Sequence, residues 1–493
     1  MGKEVKQIRY DVAVIGGGIT GVLTARVLSR YRLRVAVLEA ADDVAMGATK
    51  ANSAIVHAGF DPKPGSLKAS LNVKGCEQMG TLTKELDVPF RRIGSLVVAF
   101  GEEDDRTLLA LKERGIENGV PGLELWDRER LTREEPNLSK EASSALYAPT
   151  AGIVCPYELC IAAAESASVN GVDFYFRFRV SGILRTEEGF RVTDGSETVE
   201  TRYLVNAAGV HADEIASLAG EKDFPVRIVP RRGEYMLLDR SVGNTASHVL
   251  FVCPSVNGKG ILVSPTVDGN LLLGPTAAEI PDRNDTATTA EGLAAVADGA
   301  RKLVPGIRTN TVITQFSGIR PTPFDRNGAS ADFLIRPSDQ IPGLLHLAGI
   351  ESPGLASSPA VSEYAVSLLF SMGLKADPNP EYRPGRPRKI RFREMNDEER
   401  RDLIAMNSAF GKIICRCETV TEGEIVDAIR RPLGARDLDM VKRRTRAGMG
   451  RCGSGFCSPR VMEILSRELG ISMDEVTKCG GKSYLIPGTT DSE

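Results

Sequence analysis

The chain has 493 residues, of which 42% are hydrophobic and 26% are charged, with a formal net charge of -3. This length is too great for one hydrophobic core and indicates two or three domains. The nearly balanced charge gives no reason to expect nucleic acid as a partner, and no apolar run approaches the ~20 residues of a membrane-spanning helix. We therefore expect a cytoplasmic protein without a signal peptide, in which any membrane association runs through a partner.

The first predicted elements form a βαβ unit. DVAVI predicts a buried strand, ITGVLTARVLSRY has the apolar spacing of a helix, and RVAVLEA predicts a second strand that ends at Glu39. The intervening GGGITG fits GxGxxG through Gly16, Gly18 and Gly21. These glycines allow a tight turn, close approach of a pyrophosphate and close helix packing, while Glu39 can accept hydrogen bonds from a ribose. The unit predicts a dinucleotide site, and a glycine-rich turn beside a surface glutamate is the alternative.

The middle of the chain predicts mainly β-structure. Alternating runs in residues 172–208 predict antiparallel hairpins that return to the first sheet. Runs such as EYMLLD, GILVSPT and NLLLGP in residues 222–335 predict a separate antiparallel sheet. The stretch IPGLLHLAGIESPGLASSPAVSEYAVSLLFSMG then returns to a strand–glycine–helix pattern.

The last part of the chain predicts a linker followed by a compact helical segment. ADPNPEYRPGRPRK is rich in proline and basic residues, which is typical of an extended linker. Thr421 and Glu424 predict a capping box for one helix. Ser458 and Pro459 predict the start of another helix, which ends before Gly470.

Four of the nine cysteines are grouped near the C-terminus. Cys415, Cys417, Cys452 and Cys457 have the spacing C-x-C, then 34 residues, then C-x4-C. Four thiolates in one compact segment indicate a metal site, and zinc is an alternative, although zinc ribbons usually use C-x2-C pairs. The scattered cysteines predict ordinary core or surface residues in a reducing compartment; they are Cys76, Cys155, Cys160, Cys253 and Cys479.

Three segments resemble the D-amino-acid oxidase-like FAD oxidoreductase superfamily, which includes the glycerol-3-phosphate dehydrogenases. They are the GxGxxG unit, VNAAG at residues 205–209 and GLLHLAGIESPGLASSPA, and their order and spacing agree over roughly residues 8–372. The resemblance implies FAD as cofactor. It implies flavin or nucleotide contacts from Asn52, Ser53, Ala208, Gly209, Gly349, Gly354, Leu355 and Ala356. No second GxGxxG has strand–helix context, so we expect no NAD site, and the electrons must leave the flavin by another route.

The segment KANSAIVHAGFDPKPGSLKASLNVKG resembles L-2-hydroxyglutarate dehydrogenases and glycerol-3-phosphate dehydrogenase-like chains. By this resemblance His57 lies beside the flavin ring, where a neutral imidazole can take a hydroxyl proton. A structural role and a covalent flavin link are alternatives for His57. Arg320, in FSGIRPTP, resembles the superfamily's substrate-anion clamp, and its alternative is a structural ion pair. Arg232 and Lys259 are further candidate cations.

The segments ICRCETVTEGEI and TRAGMGRCGSGFC resemble the bacterioferritin-associated ferredoxin-like domain, which holds a [2Fe–2S] cluster. The glycines around the second cysteine pair allow backbone N–H groups to approach sulfur, and Cys457 precedes a helix, where thiolate charge is favoured. A group of basic residues is expected to raise the potential of the cluster; it comprises Lys442, Arg443, Arg444, Arg446 and Arg451.

These expectations combine into one architecture. We expect an α/β FAD-binding Rossmann-like domain, an antiparallel-sheet substrate domain and a small helical [2Fe–2S] domain. Their expected bounds are 1–80, 145–221 and 336–374 for the first, 81–144 and 222–335 for the second, 375–408 for a linker, and 409–493 for the third.

The expected reaction is the FAD-dependent oxidation of a small anionic hydroxy substrate. By resemblance to anaerobic glycerol-3-phosphate dehydrogenases, this is sn-glycerol 3-phosphate going to dihydroxyacetone phosphate, with electrons passing through the cluster to an additional subunit or a quinone. L-2-hydroxyglutarate and an opine or amino acid are the alternative substrates. A non-catalytic scaffold or iron-storage partner is a further alternative, which leaves the first 370 or so residues without a role.

Overall fold

The computed structural model describes residues 9–254 and 260–488, and it forms two compact units, Met1–Pro384 and Gly385–Glu493. The strands of the larger unit are β1 (Arg9–Ile15), β2 (Val35–Leu38), β3 (Ile55–Val56), β4 (Phe90–Arg92), β5 (Ser95–Ala99), β6 (Glu124–Asp127), β7 (Ser144–Ala148), β8 (Gly152–Val154), β9 (Asp173–Tyr175), β10 (Gly182–Thr186), β11 (Gly189–Thr193), β12 (Thr198–Asn206), β13 (Arg227–Leu238), β14 (Val249–Val252), β15 (Leu262–Pro265), β16 (Leu271–Gly274), β17 (Ala278–Glu279), β18 (Val312–Phe324), β19 (Leu334–Pro337) and β20 (Leu344–Ala348). Its α-helices are α1 (Ile19–Leu28), α2 (Leu67–Glu85), α3 (Glu102–Glu117), α4 (Arg128–Glu134), α5 (Pro156–Val169), α6 (Ala212–Leu218), α7 (Ala290–Leu303) and α8 (Gly354–Ser371).

The first sheet has a parallel centre in the order β20–β12–β1–β2–β9. Because successive side chains of a strand point to opposite faces, Val12 and Val14 pack against α1 and α8, while Ala13 and Ile15 face the other side. Both faces are covered, which explains why β2 reads as a continuous apolar run. The predicted Rossmann-like fold is confirmed.

The carboxyl ends of β1, β2, β12 and β20 meet at one edge of this sheet, because these strands are parallel. The loops that follow them interlock there: Gly16 N donates to Leu38 O at 2.9 Å, and Ala207 N donates to Ile15 O at 2.9 Å. In open α/β sheets, ligands bind at this edge. The fold therefore gathers the predicted nucleotide-contact segments in one place.

Strand β12 pairs with different neighbours along its length. Its residues Thr198–Thr201 pair antiparallel with β11, whereas Leu204–Asn206 pair parallel with β20. The antiparallel hairpins predicted within residues 172–208 are formed by β10, β11 and the first half of β12, but the first run of this range forms β9, which pairs parallel with β2.

The second sheet has the order β17–β13–β16–β15–β14–β5–β7–β6, with β18 pairing with β13. It is mixed rather than antiparallel as expected, because β5 and β14 run parallel. Strand β5 lies inside the sheet, between β14 and β7, and it is buried along its whole length. The long antiparallel pair of β13 and β18 carries the predicted substrate arginine.

The smaller unit, described as far as residue 488, contains a short hairpin and four α-helices. They are β21 (Ile413–Cys415), β22 (Val420–Thr421), α9 (Asp397–Met406), α10 (Glu422–Arg430), α11 (Leu438–Thr445) and α12 (Ser458–Leu469). The capping box of Thr421 and Glu424 and the left-handed Gly470 after α12 are both confirmed. Among the described residues, no helix of either unit combines the length and apolar character that a membrane span needs.

The range predicted as a linker, 375–408, is not extended throughout. Its first part packs on the larger unit, where Asn379 N donates to Arg30 O at 2.7 Å and Arg383 N donates to Asn170 Oδ1 at 2.8 Å. Its last part forms α9, which begins with a capping box of Asn396 and Glu399. The proline-rich composition of the range concealed both these hydrogen bonds and the helix cap at Asn396.

Candidate active site and cysteine cluster

The glycine-rich loop after β1 is shaped by close backbone contacts. Gly16 has a φ of +110°, and a Cβ at this position would lie 2.4 Å from the carbonyl oxygen of Ala207. A Cβ on Gly21 would lie 2.1 Å from the carbonyl oxygen of Gly16. Gly18 is the N-cap of α1 and offers no side chain to the first N–H groups of the helix. The loop and helix N-terminus therefore form a cradle that fits the pyrophosphate of FAD.

Glu39 holds this loop in place. Its Oε2 accepts a hydrogen bond from Gly17 N at 2.6 Å, and its Oε1 accepts one from Ala41 N at 2.8 Å. Burial raises the pKa of Glu39 and outweighs the opposing effect of these two hydrogen bonds. Glu39 thus orders the turn that the glycines form, and its contact with a ribose stays a prediction.

The segment after α1 and β2 adds a contact that the sequence did not indicate. Thr49 Oγ1 accepts a hydrogen bond from Ile19 N, in the first turn of α1, at 3.0 Å. Asn52 stabilises its own turn, donating to Thr49 O at 2.9 Å and accepting from Ala54 N at 2.8 Å. Ser53 Oγ lies 3.3 Å from the hydroxyl of Tyr235.

The third cofactor segment places the start of α8 at the same sheet edge. Gly349 has a φ of +65°, and a Cβ there would lie 2.7 Å from Pro323. α8 begins at Gly354 and continues through Leu355 and Ala356. A Cβ on Gly75 would lie 2.2 Å from Ala356 O, so α2 packs directly on the backbone of this first turn. Ala208 and Gly209 follow β12 at the same edge, with Ala208 N bonded to Asn206 Oδ1 at 3.3 Å.

His57 lies half-buried next to this segment. Its Nε2 is 3.5 Å from Ser352 Oγ, two residues before α8, and its ring stacks on Phe251 with centroids 5.7 Å apart. Its backbone carbonyl accepts a hydrogen bond from Asn72 Nδ2 at 2.7 Å. These contacts fix the ring on the side of the sheet edge where the third cofactor segment begins.

Arg320 lies on β18, opposite Arg231 of β13. Its Nη2 donates to the carbonyl of Thr276 at 2.5 Å, and its buried Nε has no hydrogen-bond partner among the described residues. Its charge acts on the hydroxyl of Tyr235, whose pKa is raised because burial outweighs the effects of Arg320 and Ser53. An unused, buried guanidinium donor is suited to an anionic ligand, because a buried donor without a partner is costly.

Two chains of contacts bring Arg320 and His57 to the same side of the sheet edge. Tyr235 links Arg320 to Ser53 in the loop before β3. Thr322, on the same face of β18 as Arg320, donates to Glu351 at 2.9 Å, and the next residue, Ser352, lies beside His57.

Arg232, another candidate cation, is engaged elsewhere. Arg232 lies 2.6 Å from Asp285 and 3.5 Å from Glu234, which identifies it as part of a structural ion-pair network. Lys259 lies outside the described residues.

The four grouped cysteines lie as two pairs. Cys415 and Cys457 are hydrogen-bonded to each other, as are Cys417 and Cys452. The hydrogen bond from Cys457, with further ones from the backbone of Gly448 and Glu418, lowers the pKa of Cys415 to about 6. In the described part of the chain, no three acidic, histidine or cysteine side chains gather around one metal-ion position. Two thiol pairs fit a [2Fe–2S] cluster, in which two irons share four thiolates.

Of the glycines around the second cysteine pair, Gly448 donates its N–H to the thiol of Cys415, whereas a Cβ on Gly453 would meet no atom within 4 Å. A Cβ on Gly450 would lie 2.2 Å from the Cβ of Cys417. Cys457 is the N-cap of α12. Two of the nearby arginines bind other groups of the smaller unit: Arg444 donates to Leu433 O at 2.8 Å, and Arg446 pairs with Glu418 at 2.7 Å.

Comparison with known proteins defines the class of this chain. Residues 11–368 match the family described as FAD dependent oxidoreductase, and residues 413–467 match the BFD-like [2Fe-2S] binding domain. The chain belongs to the family of FAD-dependent oxidoreductases. It carries a [2Fe–2S] domain in addition, so the two cofactors expected from the sequence are confirmed.

Individual relatives agree with this class. The chain is 47% identical over 484 residues to a glycerol 3-phosphate dehydrogenase of Caloramator mitchellensis, covering 98% of this chain and 99% of that protein. It is 32% identical to a glycerol 3-phosphate oxidase of Mycoplasma genitalium, over 76% of this chain and 98% of that protein. The structure resembles dithionite-reduced, FAD-bound L-α-glycerophosphate oxidase from Mycoplasma pneumoniae, with a TM-score of 0.72 and 31% identity over 77% of this chain and 100% of that one.

Proposed function

We propose that this protein is an FAD- and [2Fe–2S]-dependent dehydrogenase that oxidises sn-glycerol 3-phosphate to dihydroxyacetone phosphate. The observation that carries the proposal is the 47% identity with a glycerol 3-phosphate dehydrogenase over 98% of this chain, a span that includes the cysteine domain. Oxidation removes a hydride from the carbinol carbon and a proton from its hydroxyl. FAD, when bound, supplies the two-electron acceptor, and the cluster supplies one-electron transfer onward.

Arg320 binds the phosphate in this proposal. Its planar guanidinium keeps one N–H on the carbonyl of Thr276 and has a second, buried N–H at Nε for an anion. The Tyr235 hydroxyl, which lies 3.3 Å from Ser53 Oγ and is acted on by the charge of Arg320, offers a second hydrogen-bonding group to the phosphate. The phosphate is thereby held at a fixed distance from the carbon that reacts.

His57 takes the hydroxyl proton at Nε2. The imidazole is held by stacking on Phe251, and its Nε2, which lies 3.5 Å from Ser352 Oγ, accepts the proton of the substrate hydroxyl. General-base catalysis of this kind contributes about 10²–10⁴-fold to a rate. We expect His57→Asn to retain FAD and to slow substrate-dependent flavin reduction within that range.

The [2Fe–2S] domain passes the electrons to an additional electron-transfer subunit or to a quinone. The support for this step is the presence of a one-electron carrier in a chain whose flavin site receives electron pairs. A partner subunit that accepts single electrons accounts for a domain that the hydride transfer itself does not need.

Anaerobic bleaching of the flavin by candidate substrates tests the proposal. The purified holoenzyme is mixed with glycerol 3-phosphate, L-2-hydroxyglutarate or an amino acid, and flavin absorbance is followed. We expect rapid bleaching by glycerol 3-phosphate alone, and none by glycerol, the matched control without a phosphate. Bleaching by an amino acid but not by glycerol 3-phosphate would refute the proposal, and bleaching by L-2-hydroxyglutarate alone would replace the substrate.

A further inference from the structure

A buried carboxylate lies directly beside the cysteine pairs. Glu418 follows Cys417 in sequence and is only 3% exposed. Its Oε2 lies 2.7 Å from Arg446 Nε and 3.2 Å from Arg393 Nη1. A charged carboxylate away from water is tolerated only when it is paired, so these two guanidinium groups stabilise it.

The partners of Glu418 come from different segments of the smaller unit. Glu418 and Cys417 belong to the loop between β21 and β22, and Cys415 is the last residue of β21. Arg446 follows α11 and leads into the loop that carries Cys452 and Cys457. Arg393 comes from the segment before α9. The ion pairs of Glu418 thus join both cysteine loops to a third segment.

The backbone around Arg446 and Glu418 supports a role for this ion pair in positioning the cysteines. Arg446 has a φ of +74°, a left-handed conformation that non-glycine residues rarely adopt. Two residues later, Gly448 N donates to the thiol of Cys415, and Glu418 N donates to the same thiol. The side-chain pair and the two backbone contacts therefore act on one cysteine from opposite loops.

We propose that Glu418 is a positioning residue, whose ion pairs with Arg446 and Arg393 hold the two cysteine loops together and set the reduction potential of the [2Fe–2S] cluster. This inference rests on the proposed assignment of the four cysteines as ligands. Reduction adds one electron, and hence one negative charge, to the cluster. The charge of Glu418 opposes this reduction, and the charges of Arg446 and Arg393 favour it.

A redox titration of the full-length holoprotein, followed by the electron paramagnetic resonance of the reduced cluster, tests the inference. Removing a buried charge next to the cluster ligands is expected to change the reduction equilibrium, because Coulomb interactions are stronger inside a protein than in water. We expect Glu418→Gln to favour reduction about tenfold, which is ~59 mV for one electron. We expect Arg446→Gln to shift the potential by a similar amount in the opposite direction, and the double variant to return close to the wild-type potential.

The matched control is Glu463→Gln, which removes an equal charge from an exposed ion pair with Arg460 on α12 and should leave the potential unchanged. If Glu418→Gln and Arg446→Gln shift the potential in the same direction, or not at all, the inference is wrong. Should either variant lose its iron, Arg393→Gln, which breaks the longer 3.2 Å contact, provides the measurement and should disfavour reduction.

Failure of this inference is distinguishable from failure of the proposed function. The titration uses a chemical reductant and no substrate, so its outcome is independent of which substrate reduces the flavin. A wild-type protein without a [2Fe–2S] signal would refute the ligand assignment itself. A normal signal with unaltered potentials in the variants would refute only the role of Glu418.

Discussion

Replacement of Arg320 by methionine is expected to weaken the use of glycerol 3-phosphate without disturbing the fold. Methionine keeps much of the side-chain length on β18 and removes a guanidinium whose Nε has no partner among the described residues. The variant also loses the hydrogen bond from Nη2 to the carbonyl of Thr276, which is a single side-chain contact beside the long β13–β18 pair, whose backbone pairing the substitution leaves in place. The stability of the variant should therefore change little.

The size of the effect follows from the donors that Arg320 offers. An arginine has five N–H donors, and the structure commits one of them to Thr276. Two charge-assisted hydrogen bonds to a phosphate are worth about 1.5–3 kcal/mol each. The variant regains part of this free energy, because it no longer buries an Nε without a partner. A net loss of about 3 kcal/mol corresponds to a roughly 150-fold decrease in kcat/KM. Because the phosphate is remote from the reacting carbon, most of this loss should appear in KM.

The assay is anaerobic stopped-flow reduction of the flavin at varied glycerol 3-phosphate concentration, with steady-state turnover on a dye acceptor. Arg227→Met is the matched control, since Arg227 begins β13 with an exposed guanidinium placed over Phe324 at 5.9 Å. The control should retain wild-type kinetics. A decrease of less than about threefold in kcat/KM for Arg320→Met would show that this residue does not hold the phosphate.

Three further outcomes are expected. Cys452→Ser should still allow substrate to bleach the flavin but should block transfer to the natural acceptor, and undiminished transfer would make the cluster structural. Gly21→Ala places a Cβ 2.1 Å from Gly16 O, and such overpacking costs about 1–3 kcal/mol. The variant should therefore purify with a lower flavin-to-protein ratio, and a full complement of flavin would contradict this expectation. Burial raises the pKa of Glu221, but its hydrogen bond and ion pair with His346 outweigh this and leave the pKa lowered. Its stabilising effect is therefore present above the unfolded pKa of about 4.3 and is lost as pH falls through the lower folded pKa, so the melting temperature of Glu221→Gln should fall less steeply in acid than that of wild type.

Local patterns in the sequence were sufficient for the nucleotide loop and the cysteine domain. Gly21 and the capping box of Thr421 act within a few residues of their partners, so their spacing carries the information. The pairing of β5 with β14 depends on segments about 150 residues apart, and no local pattern distinguishes a parallel from an antiparallel neighbour there.

Tyr235 and Glu418 show why other contacts could not be predicted from the sequence. Tyr235 reads as one more aromatic residue of a strand, and it meets Ser53 only because β13 lies across the loop before β3. Glu418 reads as a surface acid next to a cysteine, and its burial depends on Arg393 and Arg446 arriving from two other segments. Both residues acquire their surroundings through tertiary contacts alone.

Strand β12, which pairs with different neighbours along its length, offers a practical site for labelling this enzyme. Nine residues at about 3.3 Å each separate the exposed turn at 194–197 from the cofactor edge, roughly 30 Å away. The turn belongs to the hairpin half of the strand, whereas the cofactor loop follows the half that is locked between β1 and β20. A fluorophore or surface-attachment tag introduced at Ser196 would therefore label the protein or anchor it to a surface without disturbing the cofactor loop.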